Sequence, residues 1–293
     1  DVVLWLGNSQ LHSINQMKLG DETAPPILHR SIIDLQKYLM TFSQPNANLQ
    51  EHYVLFNYLV SKVPVSTLIL PVVFDDMRET GIRKNITDAF KDLYVANELK
   101  NTDIGKKLLS NYDNQDTAGN DMGALEGTLQ ENVEFFLNTK LGLYWLTWRE
   151  RPDLRASFFY GFLYKARNLL FDINASTIRK VIPGRYIANI EALHAILNTA
   201  QKNSINVLIY IAPIRNDIQI PYDLEQYNSF KEEIGFIASE YNDVKFKNLE
   251  GLVPGKFWGF KPSTTFTGME VDFMHFQAGG HKILSDSILF ELQ

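Results

Sequence analysis

The chain has 293 residues, 45% of them hydrophobic, which is enough apolar material for one large domain or two small ones with a substantial core. Its net charge of −6 offers no global basic field to nucleic acid, and the absence of cysteine excludes disulfides, thiol catalysis and zinc–thiolate sites. The six histidines are scattered, which argues against a structural metal, and no apolar run reaches the ~18 residues a membrane-spanning helix needs.

Val2 to Leu6 form an apolar run that stops at Gly7-Asn8-Ser9, the pattern of a buried strand leaving its sheet. Ser9 at that exit is either the N-cap of the following helix or a nucleophile held where strand meets helix. Residues 27–40 predict an amphipathic helix and 41–48 a turn. Residues 49–62 predict a helix with Leu49, Tyr53, Phe56 and Leu59 on one face, closed by Pro64. Residues 66–74 are the most strand-like run of the first half, and Pro71 within them predicts a bulge or a strand end.

Residues 77–185 are mostly helical in pattern and are expected to form an insertion or lid. Their polar, glycine-bearing stretch at 111–128 is expected as a loop. Trp145, Trp148, Phe158, Phe159, Tyr160, Phe162 and Tyr164 lie beyond it, expected as helical core rather than as an aromatic wall over a cleft. An α/β rhythm returns with a helix at 186–203, strands at 205–214 and 244–249 around a helix at 223–241, and a final helix at 279–292. Strands alternating with helices predict a parallel sheet covered on both faces. The expected architecture is a single three-layer α/β/α domain over 1–293, flavodoxin-like in its layering, with the helical insertion at 77–185.

In an open parallel sheet, chemistry gathers at the carboxyl ends of the strands. Ser9 lies at one such end. Asp272 and His275 lie three apart in a predicted short loop before the last helix. That spacing lets a turn bring the carboxylate to the imidazole, which fixes its tautomer and leaves the other nitrogen to take a proton from Ser9. Nucleophile, orienter and base then occur in the order Ser, Asp, His. His12 is expected to be a cleft wall and His281 a packing residue of the last helix. Asp75, Asp76 and Arg78 form either an ion-paired turn or part of the site.

Gly7-Asn8-Ser9-Gln10 and Asp272-Phe273-Met274-His275, together with Phe276-Gln277-Ala278-Gly279-Gly280-His281 directly after it, resemble the first and fifth blocks of the SGNH (GDSL-like) hydrolases and acyltransferases. The strand ending at Pro213 resembles the late strand of that family, and the resemblance covers residues 1–76 and 186–293. It implies serine acyl transfer by Ser9, His275 and Asp272 with no cofactor. It also implies an oxyanion hole made by the Ser9 backbone N–H and by donors from blocks two and three. Block two falls near Ser43–Asn48, where a backbone N–H of Ala47 or Asn48 is the expected donor. Block three reads Phe74-Asp75-Asp76-Met77-Arg78 in place of Gly-x-Asn-Asp, which leaves Arg78, or Asn216 further on, as the third donor.

These departures resemble the branch that acts on extracytoplasmic glycans beside membrane-bound acyltransferases. That implies an ester-bearing substrate such as a glycan, a membrane-bound acyltransferase as partner, and a periplasmic or cell-surface location. A start without methionine, one step from a strand, suggests an upstream signal or anchor removed. Three functions are therefore expected as alternatives: a hydrolase of O-acyl esters on a carbohydrate, an O-acyltransferase for an extracellular polysaccharide, and a non-catalytic glycan-binding module on the same fold.

Overall fold

Side chains of the first strand, β1 (Val2–Gly7), alternate between two apolar layers: Leu4 and Leu6 enter one, Val3 and Trp5 the other. Burial on both faces is what an all-parallel sheet requires of a central strand. The computed structural model describes residues 1–117, 140, 161–266 and 268–293. In it β1 sits between β2 (Tyr38–Ser43) and β3 (Val65–Val72), with β4 (Asn206–Ile211) and β5 (Val244–Asn248) further out beyond β3. All neighbours are parallel, in the order β2-β1-β3-β4-β5.

The described helices are α1 (Ala24–Ile32), α2 (Leu49–Val60), α3 (Lys84–Thr87), α4 (Leu93–Leu99), α5 (Asp103–Thr117), α6 (Gly161–Leu170), α7 (Pro183–Lys202), α8 (Leu224–Ser239) and α9 (Ala278–Leu292). Leu28 and Ile32 of α1 and Leu284 and Ile288 of α9 pack on the Val3–Trp5 face. Tyr53 and Phe56 of α2, Leu193 and Ile196 of α7, and Phe230 and Ile234 of α8 pack on the Leu4–Leu6 face. The fold is a three-layer α/β/α sandwich. The chain leaves β1 towards β2 on one side and, having crossed to β3, leaves β3 towards β4 on the other, so the connections leaving β1 and β3 diverge and open a crevice at their carboxyl ends. None of the described helices is long and apolar enough to cross a membrane.

Several expectations are corrected. The helix expected over 27–40 ends at Ile32, and residues 38–43 of the expected helix and turn are the edge strand β2. Gln36, with φ 57°, turns the chain in the left-handed region and stops the helix. Pro71 does not end β3, which runs to Val72 and pairs Pro71 with Tyr210 of β4. Its missing N–H is tolerated because the β1 ladder with β3 stops earlier, at Trp5 and Ile69.

Residues 111–117, expected in a loop, complete α5. Ile86, Phe90, Val95, Leu99, Ile104 and Leu108 share one core with α2 and α7, so 84–117 build the main body rather than a separate lid. Residues 118–128, the rest of the stretch expected as a loop, and the aromatics Trp145, Trp148, Phe158, Phe159 and Tyr160 lie outside the described residues. Unexpected from the sequence is an antiparallel pair, β6 (Trp258–Pro262) with β7 (Met269–Phe276), set before α9.

Candidate active site

Gly7 ends β1 because the chain turns tightly there: a Cβ on Gly7 would fall 2.3 Å from Leu11 Cδ1 and 3.5 Å from the Pro71 ring. Asn8 is the cap of the short 3-10 turn Ser9–Leu11, its Oδ1 accepting from Gln10 N at 3.0 Å. The cap is thus Asn8, which leaves the Ser9 hydroxyl free for other work. The Asn8 amide donates to Asp76 Oδ2 at 2.6 Å, joining the exits of β1 and β3. Asp76 is buried, and burial pushes its carboxyl well above the usual carboxylate range. Gln10 Nε2 donates to Pro213 O and to Met274 O, both at 2.9 Å, and so clamps the turn to the end of β4 and to β7.

Asp272 and His275 lie on β7 rather than in a loop. Between the pairs Phe260–Val271 and Trp258–Phe276, β7 advances further than β6, so residues 272–275 bulge from the ladder. Asp272 Oδ1 accepts from the backbone N–H groups of Met274 and His275, both at 3.0 Å, and this holds the bulge in shape. The bulge makes residues three apart neighbours on a strand, where alternation would send them to opposite faces.

Three of the residues singled out in the sequence meet here. His275 Nε2 lies 2.9 Å from Ser9 Oγ, and His275 Nδ1 lies 3.0 Å from Asp272 Oδ2. An ionised carboxylate only accepts, so Nδ1 carries the proton and the bare Nε2 accepts from the Ser9 hydroxyl. Burial opposes the charge of Asp272, but the His275 ring and the two backbone donors outweigh it and hold its pKa at about 2. Asn15, not foreseen, donates to Asp272 Oδ2 at 3.1 Å and to Phe260 O at 3.1 Å. Its Oδ1 accepts nothing among the described residues and packs against the backbone of Gly259, where a Cβ would sit 2.0 Å away.

None of the expected side-chain donors hydrogen-bonds Ser9, and the Asn48 backbone N–H has no acceptor among the described residues. Asn48 is the N-cap of α2, its Oδ1 accepting from Glu51 N and its amide donating to Gly81 O. The Ala47 N–H donates to Gln44 O within its own turn. Arg78 donates to Lys180 O and pairs with Asp75, which also receives Arg179 and the Tyr222 hydroxyl. Asn216 is exposed beside Gly251. The Ser9 backbone N–H has no acceptor among the described residues.

His12 is exposed at the site mouth with Nδ1 2.9 Å from Ser43 Oγ, and burial together with the nearby His275 lowers its pKa. His281 is fully buried. Its Nδ1 accepts from Ala24 N and its Nε2 donates to Ser13 O, while burial lowers its pKa to about 4. It therefore pins α9 to the segment after Ser9. A cavity of about 330 Å³ opens beside Gly7 and Ser43, between the β2 exit, α2 and residues 85–89. Among the described residues, no group of three or more His, Asp or Glu side chains is arranged to hold a metal ion. Comparison of the chain with models of known protein families and with curated proteins finds no match.

Proposed function

We propose that this protein is a serine-dependent acyl transfer enzyme of the SGNH type, an esterase or O-acyltransferase acting on O-acyl groups of a carbohydrate. The observation that carries the proposal is the unbroken relay from Ser9 Oγ through His275 to Asp272, at 2.9 and 3.0 Å, set at the switch point of the sheet. His275 Nε2 takes the Ser9 proton as Oγ attacks the ester carbonyl. Asp272 stays ionised and stabilises the imidazolium. The unused Ser9 N–H is an oxyanion donor, and a donor of this kind contributes about 3–4 kcal/mol.

When the tetrahedral intermediate collapses, the carbon–oxygen bond to the alcohol breaks. His275 returns its proton to the departing alcohol and leaves an acyl ester on Ser9. Water or a sugar hydroxyl then repeats the steps in reverse and carries the acyl group away. Acyl transfer to an extracellular polysaccharide, fed by a membrane-bound partner outside the cytoplasm, is the second form of the same reading, because both forms use the same triad.

The test is turnover of p-nitrophenyl acetate by the wild type and Ser9→Ala, with and without a glycan oligomer. Loss of about 10³-fold or more in the variant supports the catalytic reading. Acyl groups released to water whatever is added make the protein an esterase, and acyl groups found on the oligomer by mass spectrometry make it a transferase. Equal, negligible release from both proteins overturns the catalytic reading in favour of a glycan-binding module.

A further inference from the structure

The cavity beside Gly7 is built from Phe42 of β2, Ala47, His52 and Leu55 of α2 and its approach, and Ile86 and Ala89 of the segment 85–89. At about 330 Å³ it falls in the size range of small-molecule sites and is several times larger than an acetyl group needs. Its wall is mainly apolar. Glu51, which also borders it, has both oxygens taken by Arg83, at 2.8 and 2.6 Å. His52 is different: it is 4% exposed, and its ring nitrogens make no hydrogen bond to a described residue. Burial, with Arg83 nearby, lowers its pKa to about 4, so at neutral pH it is an uncharged ring with one donor and one acceptor. Buried polar groups have partners, and a neutral imidazole in a cavity wall waits for one.

The side on which the cavity lies decides what enters it. His275 reaches Ser9 from β7, which lies beside the end of β4: Gln10 Nε2 donates to both Pro213 O and Met274 O, and Arg215 N donates to Phe273 O. The leaving alcohol must accept its proton from His275 Nε2, so it departs on that side. The cavity opens on the other flank of Ser9, at the exit of the edge strand β2 and against α2, with β1 and β3 between β2 and β4. We infer that this cavity holds the acyl group of the ester attacked by Ser9, and that the group is a chain of several carbons bearing a hydroxyl or keto oxygen that hydrogen-bonds His52. The inference rests on the serine acyl-transfer reading and names its substrate class.

The experiment compares kcat/KM for p-nitrophenyl acetate, hexanoate, 3-hydroxyhexanoate and 5-oxohexanoate on the full chain, its Ala89→Phe and His52→Phe variants, and Ser9→Ala as the blank. The wild type is expected to favour hexanoate over acetate by about tenfold or more, and an oxygen-bearing chain over plain hexanoate by a similar factor. Ala89→Phe removes the chain-length preference. His52→Phe removes only the preference for oxygen.

A second measurement needs no variant. Mass spectrometry of wild-type protein tracks Ser9 labelling by methyl and hexyl fluorophosphonates, and the hexyl reagent is expected to label faster. Ser9-dependent turnover at equal rates for all four esters, with equal labelling, overturns the cavity assignment and leaves the acyl-transfer reading standing. A chain-length preference unchanged in Ala89→Phe has the same meaning. An oxygen preference that is absent, or unchanged in His52→Phe, overturns the role of His52. No turnover and no label on Ser9 overturns both readings.

Discussion

Asp272 keeps its charge in a site where burial works against it, because every donor it meets favours the ionised form. Asp272→Asn keeps the shape but offers an amide that stabilises the wrong tautomer of His275. The expected result is a fall in kcat of about 10⁴-fold with KM little changed, measured by steady-state kinetics on an activated ester. The pairing was legible in the sequence because Ser9 stands at a strand exit and Asp-x-x-His stands just before the last helix.

Of the oxyanion donors expected from the sequence, the Ala47 N–H and Arg78 are engaged elsewhere, while the Asn48 N–H has no acceptor among the described residues. Asn48 has Glu51 three residues on, the pattern of a helix start, and capping claims its side chain. Arg78 stands three residues after Asp75 and pairs with it. For Ala47 and Arg78 a local backbone or ionic partner outcompetes a distant site, and the bland alternative for the Asp75–Arg78 turn holds for Asp75 and Arg78. Asn15 and His52 gave weaker signals still. The value of Asn15 depends on a hairpin residue 257 positions away, and a lone histidine on a helix face carries no mark of a cavity.

At the scale of elements, the Ser9–His275–Asp272 geometry depends on a hairpin whose bulge lets Asp272 and His275 face the same way. Asn15 braces that bulge from the loop after β1, and its seat exists because residue 259 has no side chain. Gly259→Ala pushes the Asn15 amide off Asp272. A hydrogen bond to a charged group contributes about 1.5–3 kcal/mol, so the substitution is expected to lower kcat by roughly tenfold or more while far-UV circular dichroism stays unchanged. Unchanged kcat would show that Asn15 does not hold the carboxylate in place.

Helices with a long apolar stripe, such as α2 and α8, were legible, as were the buried strands β1, β3 and β4. The short edge strand β2 and the β6–β7 pair were not. Edge strands carry apolar residues at spacings that a helix also satisfies, and tertiary pairing decides between them.

For the whole molecule, the layer architecture could be read from the alternation of strands and helices, while the strand order and its switch point emerged only with the pairing. The same packing sets a pH dependence. His52 and His281 are buried neutral, each with a pKa near 4 against about 6.5 for a free histidine. As pH falls the unfolded chain takes up protons first. The stability held in these two rings is therefore complete above about pH 6.5 and is lost as pH falls towards 4. Asp76 acts in the opposite sense, favouring the folded state at low pH, so the difference between proteins is the useful quantity. The Tm of His52→Phe relative to wild type is expected to rise steadily from pH 7 to pH 4 in thermal melts. A gap independent of pH would mean that His52 is not held neutral by the fold.

Ser9 and His275 stand 266 residues apart in the chain. During synthesis the proposed nucleophile emerges 266 residues before its proposed base, and the bulge that shapes His275 needs β6 to pair with. Until that hairpin forms, Ser9 is therefore an ordinary serine. On the acyl-transfer reading, reactivity arrives only when the β6–β7 hairpin docks, so a chain cut short before β7 has no means of acylating itself or its surroundings.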